Sequence, residues 1–304
     1  MGARDGAGMT KTFLIFGAGY SARAFAQQAV EDGHRVIGTT RSADKFADLS
    51  ALGIEPLIFD GTTLSGDLVQ ALSEATHLVV SVAPDETGDP VLCAASDAIR
   101  RQMPRLRCIG YLSTVGVYGD HDGGWVDEDA DCRPVSKRSI VRFAAENAWR
   151  ALALDMGRPL AILRLSGIYG PGRNAFVNLA EGKAKRILKP GQVFNRIHVD
   201  DIAGALALLA EREADGIFNV TDDEPAPPQD VVAYAVNLMG VDAPPEVPFD
   251  AATMTPMARS FYGENKRVSN AKVKSAGYSF RFQTYRHALD AMWRDHTWRQ
   301  KPPR

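Results

Sequence analysis

The sequence predicts an α/β fold, a doubly wound parallel sheet with a smaller C-terminal lobe. Two observations carry this. Short apolar runs alternate with segments of helical spacing from Thr12 to Leu165, and the first run ends in a glycine turn that opens a helix. Phe13-Leu14-Ile15-Phe16 reads as the first strand, Gly17-Ala18-Gly19 as the turn, and 22–30 as the helix. Further strands are expected at 35–38, 55–59, 77–82, 108–113 and 160–165. Strands that alternate with helices imply a parallel sheet covered on both faces, and right-handed crossovers then leave a doubly wound arrangement. After Leu165 the alternation loosens into loops rich in Gly and Pro, with helices expected at 201–213, 229–238 and 284–293 and a strand at 216–220 returning to the main sheet.

The expected division is a dinucleotide-binding body at 10–170, to which 196–222 returns, and a smaller substrate-binding lobe at 171–195 and 223–290, with flexible termini at 1–9 and 294–304. A chain of 304 residues with 45% hydrophobic and 24% charged residues can bury a sizeable core, which excludes a disordered or collagen-like chain. Thirty-five Lys and Arg against 37 Asp and Glu leave a net charge of −2, so neither a nucleic-acid footprint nor a polybasic membrane anchor is present. A small-molecule substrate, anionic through local charge, is the expected partner. Cys93, Cys108 and Cys132 are too few and too scattered for a disulfide framework. The polar start, 1–11, has no signal-like apolar stretch, and apolar runs such as 78–82 are strand-sized, so the expected place is the cytoplasm.

Gly17-Ala18-Gly19-Tyr20-Ser21-Ala22 matches G-x-G-x-x-G/A between a strand and a helix. Gly17 permits the tight turn, Gly19 lets backbone approach a diphosphate, and Ala22 allows close helix–strand packing. About 20 residues on, where an acid would bind a ribose hydroxyl, the window 37–43 has none. Arg41, helped by Thr40 or Ser42, is the candidate for a 2′-phosphate. NADP is therefore the expected cofactor, with NAD the other choice.

Five segments in order, Gly17 to Ala22, Ser113-Thr114-Val115-Gly116-Val117-Tyr118-Gly119, the run from Leu163 to Arg173, Arg196-Ile197-His198-Val199-Asp200-Asp201 and Phe218-Asn219-Val220-Thr221-Asp222, make the chain resemble an extended or atypical short-chain dehydrogenase/reductase of the NAD-dependent epimerase/dehydratase group. The resemblance runs from about Thr12 to Leu289 and implies a Rossmann fold, action on nucleotide-sugar-like or other small hydroxylated substrates, and a homodimer. It implies that Asp60 binds the adenine, that Ser81, Val82 and Ala83 lie against its ribose, and that Ser113 and Thr114 hydrogen-bond the reacting substrate oxygen. Arg173, at the junction between lobes, is a candidate for an anionic substrate group or a structural arginine. His198, Asp200 and Asp201 are structural by the same parallel, Asp201 capping the next helix, and no metal is expected.

The family's Tyr-x-x-x-Lys proton-transfer pair falls, counting back from Glu146, on Arg138 and Arg142, and no Tyr occurs between Tyr118 and Tyr169. The helix expected at 137–154 places Val141, Ala145, Ala148, Trp149 and Leu152 inward. A guanidinium stays protonated near neutral pH, so Arg138 cannot shuttle a proton. Arg142 can still hydrogen-bond the nicotinamide ribose. The two arginines form either an anion clamp for the substrate or, with Glu146, an i, i+4 charge ladder on a solvated face. Tyr118 is the candidate replacement acid, with Glu128 a weaker one. Two functions follow: an oxidoreductase or epimerase/dehydratase without the usual pair, or a non-catalytic dinucleotide-binding sensor or scaffold.

Overall fold

The computed structural model describes residues 10–299. The first half alternates as β1 (Thr12–Phe16), α1 (Tyr20–Glu31), β2 (Arg35–Thr40), α2 (Phe46–Ser50), β3 (Glu55–Ile58), α3 (Gly66–Glu74), β4 (His77–Val80), α4 (Pro90–Gln102), β5 (Cys108–Thr114), β6 (Trp125–Val126), α5 (Lys137–Asp155) and β7 (Leu160–Leu165). The second half runs β8 (Gly167–Tyr169), α6 (Ala175–Ala180), β9 (Arg186–Leu188), β10 (Arg196–His198), α7 (Val199–Glu211), β11 (Gly216–Val220), α8 (Pro228–Met239), β12 (Glu246–Pro248), α9 (Pro256–Phe261), β13 (Arg267–Val268), α10 (Ala271–Ser275) and α11 (Tyr285–Arg294). Seven strands form one parallel sheet in the order β11-β7-β5-β4-β1-β2-β3.

The apolar strands are explained by burial on both faces. In β1, Phe13 and Ile15 point into the core shared with Phe25 of α1 and Leu206 of α7, whereas Leu14 and Phe16 point into the core shared with Leu72 of α3 and Trp149 of α5. Side-chain caps start several helices: Ser65 accepts the Leu68 amide, Asp89 accepts those of Val91 and Leu92, and Ser136 accepts that of Ser139. Helix α1 starts instead at Gly19, which offers no side chain.

Helix α5 buries Ala145, Trp149 and Leu152 as expected, but Val141 is half-buried and Ala148 exposed. Ser139 and Glu146 take up the rest of that stripe. The Trp149 indole donates to Asp89 Oδ2 at 3.0 Å, so the side chain that caps α4 also holds α5 against it.

Outside the sheet, β10 pairs with β8, β12 with β9 and β13 with β6, and α6, α8 and α11 close around Phe176, Ala235, Tyr285, Leu289 and Met292. The return expected over 196–222 therefore reaches the main sheet only at β11. Strand β7 is already flanked by β5 and β11, so 196–198 pairs with β8. Of the termini expected to be flexible, 1–9 and 300–304 lie outside the described residues, while 294–299 is docked. Trp298 is buried against Trp293 and Phe176, and its carbonyl accepts the Gly172 amide at 2.9 Å and Asn174 Nδ2 at 2.8 Å. A large indole gains too much from burial to stay in water. Among the described residues no helix is long and apolar enough to cross a membrane.

Candidate functional site

The glycine turn at the C-terminal edge of β1 is fixed from beneath by β2. The Gly17 amide donates to Thr39 Oγ1 at 2.9 Å and the Ala18 amide to the Thr39 carbonyl at 2.8 Å. Gly17 has φ +86°, and a Cβ there would sit 2.9 Å from Val82 Cγ2 and 3.1 Å from the Val82 nitrogen, so a side chain is excluded both by conformation and by the chain following β4. A Cβ on Gly19 would meet only the Gly17 carbonyl, at 3.9 Å, and would instead fill the space in front of the helix. The Tyr20, Ser21 and Ala22 amides at the start of α1 have no acceptor among the described residues, and no acidic residue lies in the first turn. Ala22 is buried against the sheet. The turn is therefore an open row of donors at the positive end of a 12-residue helix, suited to an anion.

Around this mouth, Arg41 follows β2, is exposed and has no ion-pair partner within 4.0 Å among the described residues. Ser42, its expected helper, is occupied with capping a short turn: its Oγ accepts the Asp44 amide at 3.3 Å and donates to Asp44 Oδ2 at 2.9 Å. Asp60 Oδ1 accepts the Thr62 and Thr63 amides and the Thr62 hydroxyl, and these bonds lower its pKa. That oxygen closes an Asx turn. Ser81 donates its amide to the Phe16 carbonyl at 2.9 Å, and Val82 lies against Gly17, so this backbone runs beside the glycine turn.

The residues at the end of β5 are arranged differently from expectation. The Ser113 hydroxyl donates to Glu146 Oε1 at 2.5 Å and is buried. Glu146, fully buried, also accepts Arg164 Nε at 3.2 Å and Nη2 at 2.8 Å. Ser113 thus spends its hydroxyl proton on an internal ion-pair network. Thr114 is half-buried, and its Oγ1 accepts the Gly116 amide at 3.1 Å; an accepting hydroxyl still has its own proton to donate. Tyr118 is fully buried. Its hydroxyl donates to Asn219 Oδ1 at 2.8 Å, the Arg164 guanidinium lies 4.7 Å from the ring centre, and burial pushes the phenol up to about 12. A phenol closed from solvent and locked in this way is not placed to serve as the replacement acid. Glu128 Oε1 accepts the Asn219 amide of β11 at 2.7 Å, a structural use as well.

Neither alternative for the arginine pair holds as drawn. Glu146 joins Arg164 rather than a solvated ladder, because it shares the buried stripe of α5 with Ala145 and Trp149. Arg142 Nη1 donates to the Leu112 carbonyl at 2.8 Å and the guanidinium lies 5.7 Å from the Tyr111 ring centre. Arg138 is exposed and stacks 5.1 Å from the Phe261 ring centre, so the two are engaged separately and not as a clamp. The cap expected of Asp201 comes from His198, whose Nδ1 accepts the Asp200 amide at 3.2 Å. Asp201 instead accepts the Tyr278 hydroxyl and the Arg281 and Phe282 amides. Arg173 is exposed on the loop between β8 and α6.

Sequence reasoning missed Thr39 as the anchor of the glycine turn and Glu146 as the hub beneath Ser113. The second had a signal, since Glu146 lies between Ala145 and Trp149 at helical spacing on the inward face.

A model of the NAD dependent epimerase/dehydratase family matches residues 13–221. A structure of a functionally unknown conserved protein from Silicibacter pomeroyi is 48% identical, with a TM-score of 0.86 over 94% of this chain and 99% of that one. A putative NAD-dependent epimerase/dehydratase from Methylobacillus flagellatus is 26% identical, with a TM-score of 0.72 over 94% and 98% of the two chains. Protein YeeZ of Escherichia coli K12 is 28% identical over 247 residues, 77% of this chain and 86% of its own. With its seven-stranded Rossmann sheet and this match over more than half its length, the chain belongs to the NAD-dependent epimerase/dehydratase family.

Proposed function

We propose that the protein is an NADP(H)-dependent oxidoreductase or epimerase/dehydratase that acts on a small hydroxylated or carbonyl substrate, nucleotide-sugar-like in class, without a Tyr-x-x-x-Lys pair. The observation that carries this reading is the mouth of α1, where three unpaired amides and a side-chain-free approach at Gly19 fit a dinucleotide diphosphate. Arg41, free and at the end of β2, favours a 2′-phosphate over a bare ribose. The nicotinamide, when bound, supplies or accepts the hydride.

The chain's own contribution lies at the end of β5. Thr114 holds the substrate oxygen through its unused hydroxyl proton. Arg142, fixed to the Leu112 carbonyl, adds a cation close to the same strand end that favours negative charge on that oxygen. Arg138 and Arg142 occupy the positions at which the resemblance puts Tyr and Lys. Neither releases a proton near neutrality, so the proton comes from water entering the mouth, and turnover is slower than with a positioned acid, by about 10² to 10⁴.

NADPH oxidation across a panel of carbonyl substrates tests the oxidoreductase arm of the reading, and product analysis of nucleotide sugars incubated with catalytic NADP tests the redox-neutral epimerase/dehydratase arm. A substrate-dependent rate that falls about tenfold or more in Thr114→Val, with cofactor affinity retained, is expected. Tight dinucleotide binding with no turnover on any substrate would instead indicate a sensor or scaffold.

A further inference from the structure

The loop between β8 and α6 meets the start of α1 at close range. The Tyr20 hydroxyl donates to the Pro171 carbonyl at 3.0 Å, and a Cβ on Gly170 would stand only 2.7 Å from that hydroxyl oxygen. Tyr20 is the first residue of α1, so this contact ties the loop to the end of the helix that carries the unpaired amides.

The loop is held as a rigid platform. Gly170 and Arg173 exchange both backbone hydrogen bonds at 3.0 Å. Asn174 Nδ2 bridges the Gly170 and Trp298 carbonyls at 2.8 Å each, and the Gly172 amide reaches the Trp298 carbonyl. On this platform Arg173 is exposed and has no ion-pair partner within 4.0 Å among the described residues. The Tyr20–Pro171 contact lies two residues before Arg173 in the same loop and so ties the arginine's loop to α1, and the Arg173 cation opposes the burial that raises the Tyr20 phenol.

We propose that Arg173 is a cofactor-binding residue that closes from the β8–α6 loop onto the dinucleotide diphosphate at the start of α1. This rests on the dinucleotide reading above. The amides supply neutral donors from one side, and Arg173 supplies the charge that a doubly anionic diphosphate needs and that the glycine turn itself lacks.

The test is equilibrium binding of three probes, NADPH, NADH and adenosine 2′,5′-bisphosphate, to the wild type and to Arg173→Ala, with thermal melts to confirm that both are folded. Arg173→Gln serves as the second variant, since it removes the charge but keeps length. Both substitutions are expected to weaken NADPH and NADH alike, by about tenfold or more, and to weaken the bisphosphate less, because its single 5′-phosphate reproduces only half of the bridge; Arg173→Lys recovers part of the loss. Unchanged dinucleotide affinity overturns the assignment and returns Arg173 to the substrate or the scaffold. Loss confined to NADPH and the bisphosphate places the cation on the 2′-phosphate, and equal loss of all three indicates a general field effect; either result overturns the diphosphate contact. If the wild type binds neither dinucleotide, the reading of the whole mouth falls and this assignment falls with it.

Discussion

Glu146→Ala is expected to lower the stability of the fold by about 3–5 kcal/mol, read as a drop in the denaturation midpoint. The Glu146 carboxylate sits in the interior between Ser113 and Arg164, and Arg164 is itself only 1% exposed, with Nη1 unpartnered. Removing the carboxylate strands a guanidinium that can neither lose its proton nor reach water. Ser113 loses its acceptor at the same time. The pair as a whole is a different matter, because its Coulomb attraction is largely spent on desolvation. Replacing both partners, Glu146→Leu with Arg164→Met, is therefore expected to recover most of the single-variant loss. A single variant as stable as the wild type would contradict the buried network.

A second large effect is expected with pH at Asp222. Its carboxyl is buried, with Oδ2 unpartnered, and burial is the main cause that raises its pKa to about 8. Arg196 favours the charged form, whereas Glu224 and Asp223 oppose it. The folded protein therefore binds a proton that the unfolded chain releases near the ordinary carboxyl value. Stability is full at low pH with respect to this group and declines as pH rises toward and through about 8. At about 1.4 kcal/mol per pKa unit the loss amounts to a few kcal/mol. Asp222→Asn keeps the acceptor for the Glu224 amide at 3.1 Å and removes the titration. Its melting temperature is expected to exceed that of the wild type at pH 9 and to change little between pH 6 and 9. Parallel curves for the two proteins would contradict this. Histidines act at the other end of the range, since burial lowers His77 and His198 to about 4, so each loses stability as pH falls below its ordinary value.

The parts of the fold that could be read from the sequence are those set by local periodicity. Strand β1 and the turn at Gly17 combine an uninterrupted apolar run with a residue that must take positive φ, and both signals are local. Strand β7 and β11 fall at the expected residues for the same reason. What could not be read was the direction of polar side chains. Whether Ser113 faces a substrate or α5 depends on Glu146 being buried 33 positions away, a fact of packing rather than of spacing. Tyr118 lies in a motif that suggests chemistry, yet its hydroxyl is claimed by Asn219 from the far edge strand. Asp201 lost its expected capping role because Tyr278, Arg281 and Phe282 arrive from a distant segment and take its oxygens. Trp298 reads as a free end until the 170–174 loop supplies the donors for its carbonyl.

Dinucleotide binding at the start of α1 is the interaction on which the proposed chemistry most directly depends. Calorimetric titration of NADPH and NADH into the wild type and Arg41→Ala measures it. The expected result is binding of both, with NADPH tighter by about tenfold or more in the wild type and that margin nearly abolished in the variant. Flat titrations with both nucleotides on folded protein would contradict the site, and equal affinities in wild type and variant alike would contradict the role of Arg41.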